Sequence, residues 1–237
     1  MKRKLKVRSV LLAAASAVLA SVLFATASGA KTFTADEAAA TEISHIFAVL
    51  SEKGKPEKIS VFGTPFEEGS PYYTNITIRT ESKTFAPPQN SGYSPTVFAA
   101  DFSGKGYEQI FYAASTGGSG GFGYYYVIDF SRGAEIIFDY SAIENPYSAA
   151  YADGFLLNVY RNNLLWYSYD LSHHESAPRL WDKGGKYIGN CQAEVSALNY
   201  AEPAFQYLSG TFRLNLWYKV IGMYQADAVG YIVKTLD

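Results

Sequence analysis

From Lys58 onward, apolar residues fall in short runs or alternate with polar ones, and turn-forming residues separate the runs. Alternation sends successive side chains to opposite faces of an extended chain, the pattern of β-strands. Segments 59–62, 72–80, 134–138, 154–160, 164–169, 186–192, 203–208, 211–220 and 229–235 read as strands, as do the segments flanking the loop at 101–106 and the one that begins near Tyr124. Gly133, Asp153-Gly154 and Asn162-Asn163 mark turns. Asn162-Asn163 lies between Val159-Tyr160 and Leu164-Leu165-Trp166, which predicts a hairpin. Residues 81–95 hold Pro87, Pro88, Asn90, Gly92 and Pro95 and read as a loop, as does the polar stretch 171–186. Many short strands at spacings of about 8–12 residues predict a mainly β fold, β-propeller-like, with a β-sandwich or barrel as the alternative.

The N-terminal part departs from this pattern. Lys2, Arg3, Lys4, Lys6 and Arg8 precede an apolar run from Val10 to Ala25, and Ser28 and Ala30 satisfy a small-residue cleavage rule. Residues 1–30 are therefore expected to be a signal peptide, and its removal leaves no expected membrane span. Thr34 and Glu37 have capping-box spacing, Ile43, Ile46, Phe47 and Leu50 recur at helical spacing, and Gly54 and Pro56 follow. This predicts one N-terminal helix within 31–56, ahead of a single all-β domain over 57–237.

Five of the 20 basic residues fall in the signal, leaving 15 against 22 acidic residues and a net charge of −7. An acidic chain without a basic run carries no electrostatic footprint for nucleic acid. The single Cys191 has no internal disulfide partner, and its neighbours Ile188 and Val195 predict a buried thiol.

The most specific stretch is Val97 to Phe130, VFAADFSGKGYEQIFYAASTGGSGGFGYYYVIDF. It reads as strand, acidic-glycine loop, strand, glycine-rich turn, strand. Asp101 and Ser103 supply oxygen at the first and third positions of a calcium-type loop. Lys105 and Gln109 stand where acidic ligands would be wanted. The expectation is a metal-free turn with the Lys105 ammonium in the ion's place, and calcium at Asp101 and Ser103 is the alternative. No other cofactor is expected. The Gly117–Gly121 turn lacks the Gly-Lys-Ser/Thr ending and following helix of a phosphate-binding loop.

This stretch resembles FG-GAP/VCBS-type repeats of secreted bacterial proteins and integrin-like β-propellers. More narrowly, it is similar to a group of secreted VCBS-repeat proteins known mainly from Gram-positive bacteria. Gly222-Met223-Tyr224-Gln225-Ala226-Asp227-Ala228-Val229-Gly230-Tyr231 resembles that group's closing Gly-x-Tyr-Asn-Ala-Asp-x-Leu-Gly-Tyr pattern. The resemblance implies a β-propeller of FG-GAP/VCBS type. It also implies a second Asp-rich loop near 200–212, where this chain reads NYAEPAFQYLSGTF without the acids.

Catalytic signatures are missing from the sequence. His45, His173 and His174 form no His-Glu-x-x-His pattern and read as solvated, and no Gly-x-Ser-x-Gly elbow occurs. Glu67, Glu68, Asp139, Glu144, Asp153 and Asp170 are available as acid pairs, but no spacing singles out two of them. Aromatic residues are abundant, with 3 Trp, 20 Tyr and 15 Phe. Most suit β-core packing, and Tyr124, Tyr126, Trp166 and Trp217 are the candidates for an exposed binding surface. The expected function is that of an exported, non-catalytic binding or envelope-associated protein, secreted or periplasmic, with a glycan or an envelope protein as partner. The alternative is an extracytoplasmic hydrolase acting on glycan or peptidoglycan.

Overall fold

The two most apolar runs of the chain, Gln109–Ser115 (β6) and Gly123–Asp129 (β7), lie side by side and are covered on both faces. Ile110, Tyr112, Tyr126 and Ile128 point into one core, and Phe111, Tyr125 and Val127 into another. Burial on both sides is why these strands read as continuous hydrophobic runs instead of alternating. The computed structural model describes residues 40–236. The signal-peptide stretch and the capping residues Thr34 and Glu37 lie outside the described residues.

The described chain is mainly β and forms three open antiparallel sheets. The largest contains Thr41–Ala48 (β1), Glu57–Pro65 (β2), Tyr72–Arg79 (β3), Gly92–Ala100 (β5), β6, β7 and Glu135–Asp139 (β8) in that order, with Thr84–Phe85 (β4) paired to β3. A second holds Leu164–Asp170 (β11), Leu156–Arg161 (β10) and Tyr147–Ala152 (β9). The third is a meander of Glu194–Gln206 (β12), Thr211–Ile221 (β13) and Ala228–Leu236 (β14). β3 and β5 pair only through Tyr72 with Tyr93 and Tyr73 with Gly92. At this corner the large sheet bends over itself, so that Ile59, Val61, Ile76 and Ile78 pack against Ile110, Tyr112, Tyr126 and Ile128. The other core joins the far face of β6 and β7 to β9, β10 and the inner face of the third sheet, through Leu157, Val159, Leu214, Leu216, Tyr218 and Val220.

The expected N-terminal helix is instead strand β1, antiparallel to β2. A bulge between Glu42 and Ser44 turns Ile43 to the same side as Ile46, three residues on, while Phe47 is exposed on the other face and completed the helical spacing without sharing a stripe with them. Pairing with β2 satisfies the backbone, and Val49 is tied to Glu108 in both directions, through its amide to the side chain at 2.7 Å and its carbonyl to the amide at 2.8 Å. Tertiary pairing thus overrides a weak local preference.

The hairpin at Asn162-Asn163 forms as expected, with φ of 50° and 64° at the two asparagines and Arg161 opposite Leu164. Residues 186–192 do not make a strand. Tyr187 forms one isolated bridge with Trp181, next to a single helical turn, Ala177–Leu180 (α1), inside the expected loop. β9 and the first half of β12 carry too few β-branched residues to announce themselves. β12 also contains Pro203, which a strand tolerates here because β12 is at the edge of its sheet.

Candidate functional site

The Asp101 loop closes on itself through side-chain amide and carboxylate bonds. Asp101 Oδ1 accepts from the amides of Ser103 at 3.1 Å, Gly104 at 2.7 Å and Lys105 at 3.2 Å, and Oδ2 accepts from the Gly106 amide at 2.8 Å. Gln109 is fully buried beneath them. Its Oε1 accepts from the amides of Phe102 and Ser103, and its Nε2 donates to Ser103 Oγ at 3.0 Å and the Tyr107 carbonyl at 3.1 Å. Those two acceptors are a third-position side chain and a seventh-position carbonyl, groups that a calcium loop turns toward its ion. The sequence reading put Lys105 in the middle of the loop. The structure corrects this: Gln109 fills the middle, and Lys105 Nζ points away to Asp129 Oδ2 at 3.8 Å.

Asp129 sits at the edge of a polar cleft of about 730 Å³ that Glu52, Lys105, Tyr107, Arg132 and Glu135 also line. Burial pushes its carboxyl up, but the hydroxyl and amide of Ser131, the Lys105 ammonium and the Tyr107 hydroxyl outweigh burial and hold it below the usual carboxylate range. A depressed folded value stabilises the fold above the unfolded pKa and is lost as pH falls through the folded one. Unfolding followed against pH should therefore show the wild-type advantage over Asp129→Asn fading only below about pH 4. An advantage that persists unchanged at pH 2 would show that Asp129 acts through packing and not through charge.

A second cleft, of about 420 Å³, lies on the outer face of the third sheet. Strand register builds it. Buried Leu214, Leu216, Tyr218 and Val220 alternate with Asn215, Trp217 and Lys219, so the latter three share the outer face. Tyr200 lies opposite Trp217 on β12, Glu202 opposite Asn215, and Tyr231 of β14 opposite Lys219. A bulge between Leu198 and Tyr200 lets Asn199 as well as Tyr200 reach the cleft. Trp217 Nε1 donates to Glu202 Oε1 at 3.1 Å, and the Trp217 and Tyr231 rings meet edge to face at 6.0 Å. Burial, and then the Glu202 carboxylate, push the Tyr200 hydroxyl up, which keeps it a neutral donor.

Both sequence signatures converge on this cleft. The glycine-rich turn after β6 reaches across and caps it with Gly120 and Gly121. Gly117 and Gly121 take φ of 79° and 72°, and a Cβ at Gly117 would meet the Tyr93 ring at 2.1 Å, so the turn requires glycine there. The Gly120 carbonyl accepts from Asn199 Nδ2 at 3.0 Å and from the ammonium of Lys219. Lys219 Nζ also reaches the Gln225 carbonyl in the closing motif at 3.4 Å. That motif is a tight loop between β13 and β14, in which Asp227 Oδ2 accepts from the Met223 amide at 2.8 Å.

The four aromatic candidates do not form one surface. Trp217 lines the cleft, while Trp166 is half exposed on the edge strand β11 beside Leu164, Leu165 and Tyr167. Tyr126 corrects the expectation, since it is 1% exposed and stacks on Tyr112 in the core. Tyr124 is partly buried and packs on Tyr140 at 5.8 Å. Sequence reasoning missed Asn199, Tyr200, Glu202, Lys219 and Tyr231. The alternation of Trp217 and Lys219 was the available signal for one of them.

His174 is not a solvated surface group either. Its Nδ1 lies 2.7 Å from Ser176 Oγ and its Nε2 3.7 Å from Asp227 Oδ1. These are the side-chain types of a hydrolytic triad, but the serine is 7% exposed, and the following Ala177 amide is bonded to the His174 carbonyl. That leaves no free amide after the serine for an oxyanion. Cys191, expected to be buried, is half-buried at the rim of the core, where its carbonyl accepts from the Tyr187 hydroxyl. Among the described residues no group of three or more His, Cys, Asp or Glu is placed to hold a metal ion, and no helix is long and apolar enough to cross a membrane.

No protein-family model and no solved structure matches the chain. It is 29% identical over 191 residues to an uncharacterised protein, YybI, of Bacillus subtilis (strain 168), a match that covers 71% of this chain and 69% of that protein. The chain thus has a distant bacterial relative whose own role is not known.

Proposed function

We propose that the protein is an exported, non-catalytic binding protein of the cell envelope, and that it contacts a glycan through the cleft of Tyr200, Trp217 and Tyr231. The observation that carries this reading is the gathering of three rings with Asn199 and Glu202 around one open cleft. Tyr200 and Tyr231 are 44% and 46% exposed. Ring faces suit the C–H face of a sugar, and the amide and carboxylate suit its hydroxyl groups. Export rests on the basic start, apolar run and small residues of 1–30. The FG-GAP/VCBS lineage rests on the Asp101 stretch and the closing motif. A propeller is the finer reading of the fold, in which each three-stranded sheet is an incomplete blade.

Two features support binding without turnover. In the larger cleft Asp129 is held ionised, which removes it as the proton donor of a glycosidase pair and leaves it only the part of base or nucleophile. Ser176 lacks access and a free neighbouring amide. The full chain, exported with its own leader and purified, should be retained on insoluble envelope polysaccharide. Trp217→Ala should weaken retention about tenfold or more while still melting cooperatively. Undiminished retention of that variant would overturn the placement of the site. Release of reducing sugar, lost in Asp129→Asn, would overturn the non-catalytic reading.

A further inference from the structure

Lys219 is 5% exposed, yet among the described residues its ammonium has only uncharged partners, the carbonyls of Gly120 and Gln225, with the Phe122 ring 6.0 Å away. An ammonium has three N–H donors, and these contacts account for two. A buried charge is ordinarily paired with an opposite one, because neutral acceptors recover only part of its lost hydration. The ion-paired lysines Lys58, 2.8 Å from Glu42, and Lys105, facing Asp129, are exposed, and Lys83, held by the carbonyls of Phe130 and Gly133, is only half-buried, so Lys219 is the most deeply buried of these ammonium groups. Lys219 is also a lining residue of the aromatic cleft. Its unmet charge is thus presented to whatever occupies that cleft.

The rest of the lining locates where an anion would sit. Lys219 and Tyr231 form one row across the outer face, Trp217 and Tyr200 the next, and Asn215 and Glu202 the third. Residues 215 and 219 are four apart on one strand, which separates their rows by about 13 Å. The Glu202 side chain reaches back from that third row to the Trp217 indole, so its carboxylate lies beside the rings and is already engaged by a donor. The cleft therefore has a cationic end beneath the glycine-rich turn and, next to it, a ring platform bordered by the Glu202 carboxylate, which suits hydroxyl donors.

We propose that the cleft takes a glycan unit carrying an anionic substituent, a carboxylate or a sulfate, which the Lys219 ammonium receives while the sugar ring lies on Trp217 and Tyr231. This rests on the cleft being the glycan surface proposed above. It adds the charge of the ligand and the residue that selects it. The glycine-rich turn and the closing motif then share one task, holding the lysine at the end of the cleft by a carbonyl from each.

The experiment compares binding of the purified full chain, by calorimetry, to trigalacturonate, its methyl ester, a sulfated galactan oligomer and neutral galactotriose. The wild type should bind at least one acidic oligomer about tenfold or more tightly than its uncharged counterpart, the gain from one charge-assisted bond. The acid that shows the larger gain identifies the substituent. Lys219→Met, which keeps the chain length and removes the charge, should bring acidic and neutral oligomers within about twofold of each other. Equal wild-type affinity for charged and uncharged oligomers overturns the proposal and leaves the glycan surface standing. This comparison varies only the ligand, so it holds even if the Met variant fails to fold. Absence of binding to all four overturns this proposal, and if Trp217→Ala also leaves retention on polysaccharide unreduced, the cleft falls as the glycan surface with it.

Discussion

Replacing Gln109 with leucine should lower the unfolding free energy by about 3–5 kcal/mol, seen as a fall in melting temperature on the order of 10 °C. The side chain is fully buried and makes four hydrogen bonds, and leucine makes none of them. The Phe102 amide and the Tyr107 carbonyl would then be left without these partners, at about 1–3 kcal/mol each. The Gln109 amide stands where a calcium loop would hold its ion, which makes the same position the key to metal response. Wild-type melting should move by less than about 1 °C between calcium and chelator, because a ligand stabilises only by binding the folded state preferentially. In Gln109→Glu with Lys105→Asp, a carboxylate replaces the amide beneath Ser103 and a second stands at the loop's fifth position, which a bound ion would draw inward. That variant should be destabilised in chelator and recover in calcium. A wild-type rise of several degrees in calcium, abolished by Asp101→Ala, would show that the loop binds the ion as it stands.

The Asp101 loop illustrates how far residue spacing reads. Its place between two strands and its reliance on Asp101 follow from Asp, Ser and Gly at fixed offsets. Which side chain fills the loop does not, because Lys105 and Gln109 both carry N–H donors. The choice is made by β6, whose first residue, Gln109, points inward while Lys105 lies on the exposed turn. The hairpin at Asn162-Asn163 was legible for a similar reason, since two residues that accept positive φ demand one turn type. β1 was misread because a bulge puts Ile43 on the same side as Ile46, and an exposed Phe47 next to them completed a helical spacing. Tyr124 to Tyr126 were legible as a strand and illegible as a surface. Which rings are exposed depends on what covers each face: β9, β10 and β12 cover Tyr125, while Ile59, Val61, Ile76 and Ile78 share the core that takes Tyr126, and all of these are distant along the chain. The cleft itself was hidden for that reason. Its members come from three strands and a turn, and only Trp217 with Lys219 stood at readable spacing.

Replacing Gly222 with alanine should cost about 2–4 kcal/mol and abolish discrimination between acidic and neutral oligomers. Gly222 is not among the positive-φ glycines, so backbone strain is not the reason. A Cβ at this position would lie 2.3 Å from Asp227 Oδ2 and 2.9 Å from its Cγ. Asp227 is 8% exposed, and its carboxylate must leave to make room. It then loses the Met223 amide and shifts away from His174, and the loop that presents the Gln225 carbonyl to Lys219 loosens. The clash is with one side chain, so a double-mutant cycle isolates it. Asp227→Ala alone should cost about 1–3 kcal/mol for the unpaired amide. On that background Gly222→Ala should cost less than about 1 kcal/mol, because only Val229 Cγ2, 3.2 Å from the new methyl, still crowds it. Chemical denaturation of the wild type, both single variants and the double variant measures all four corners. Additive costs would show that Gly222 is needed for something other than the Asp227 carboxylate, and that the closing motif does not hold Lys219 through this contact.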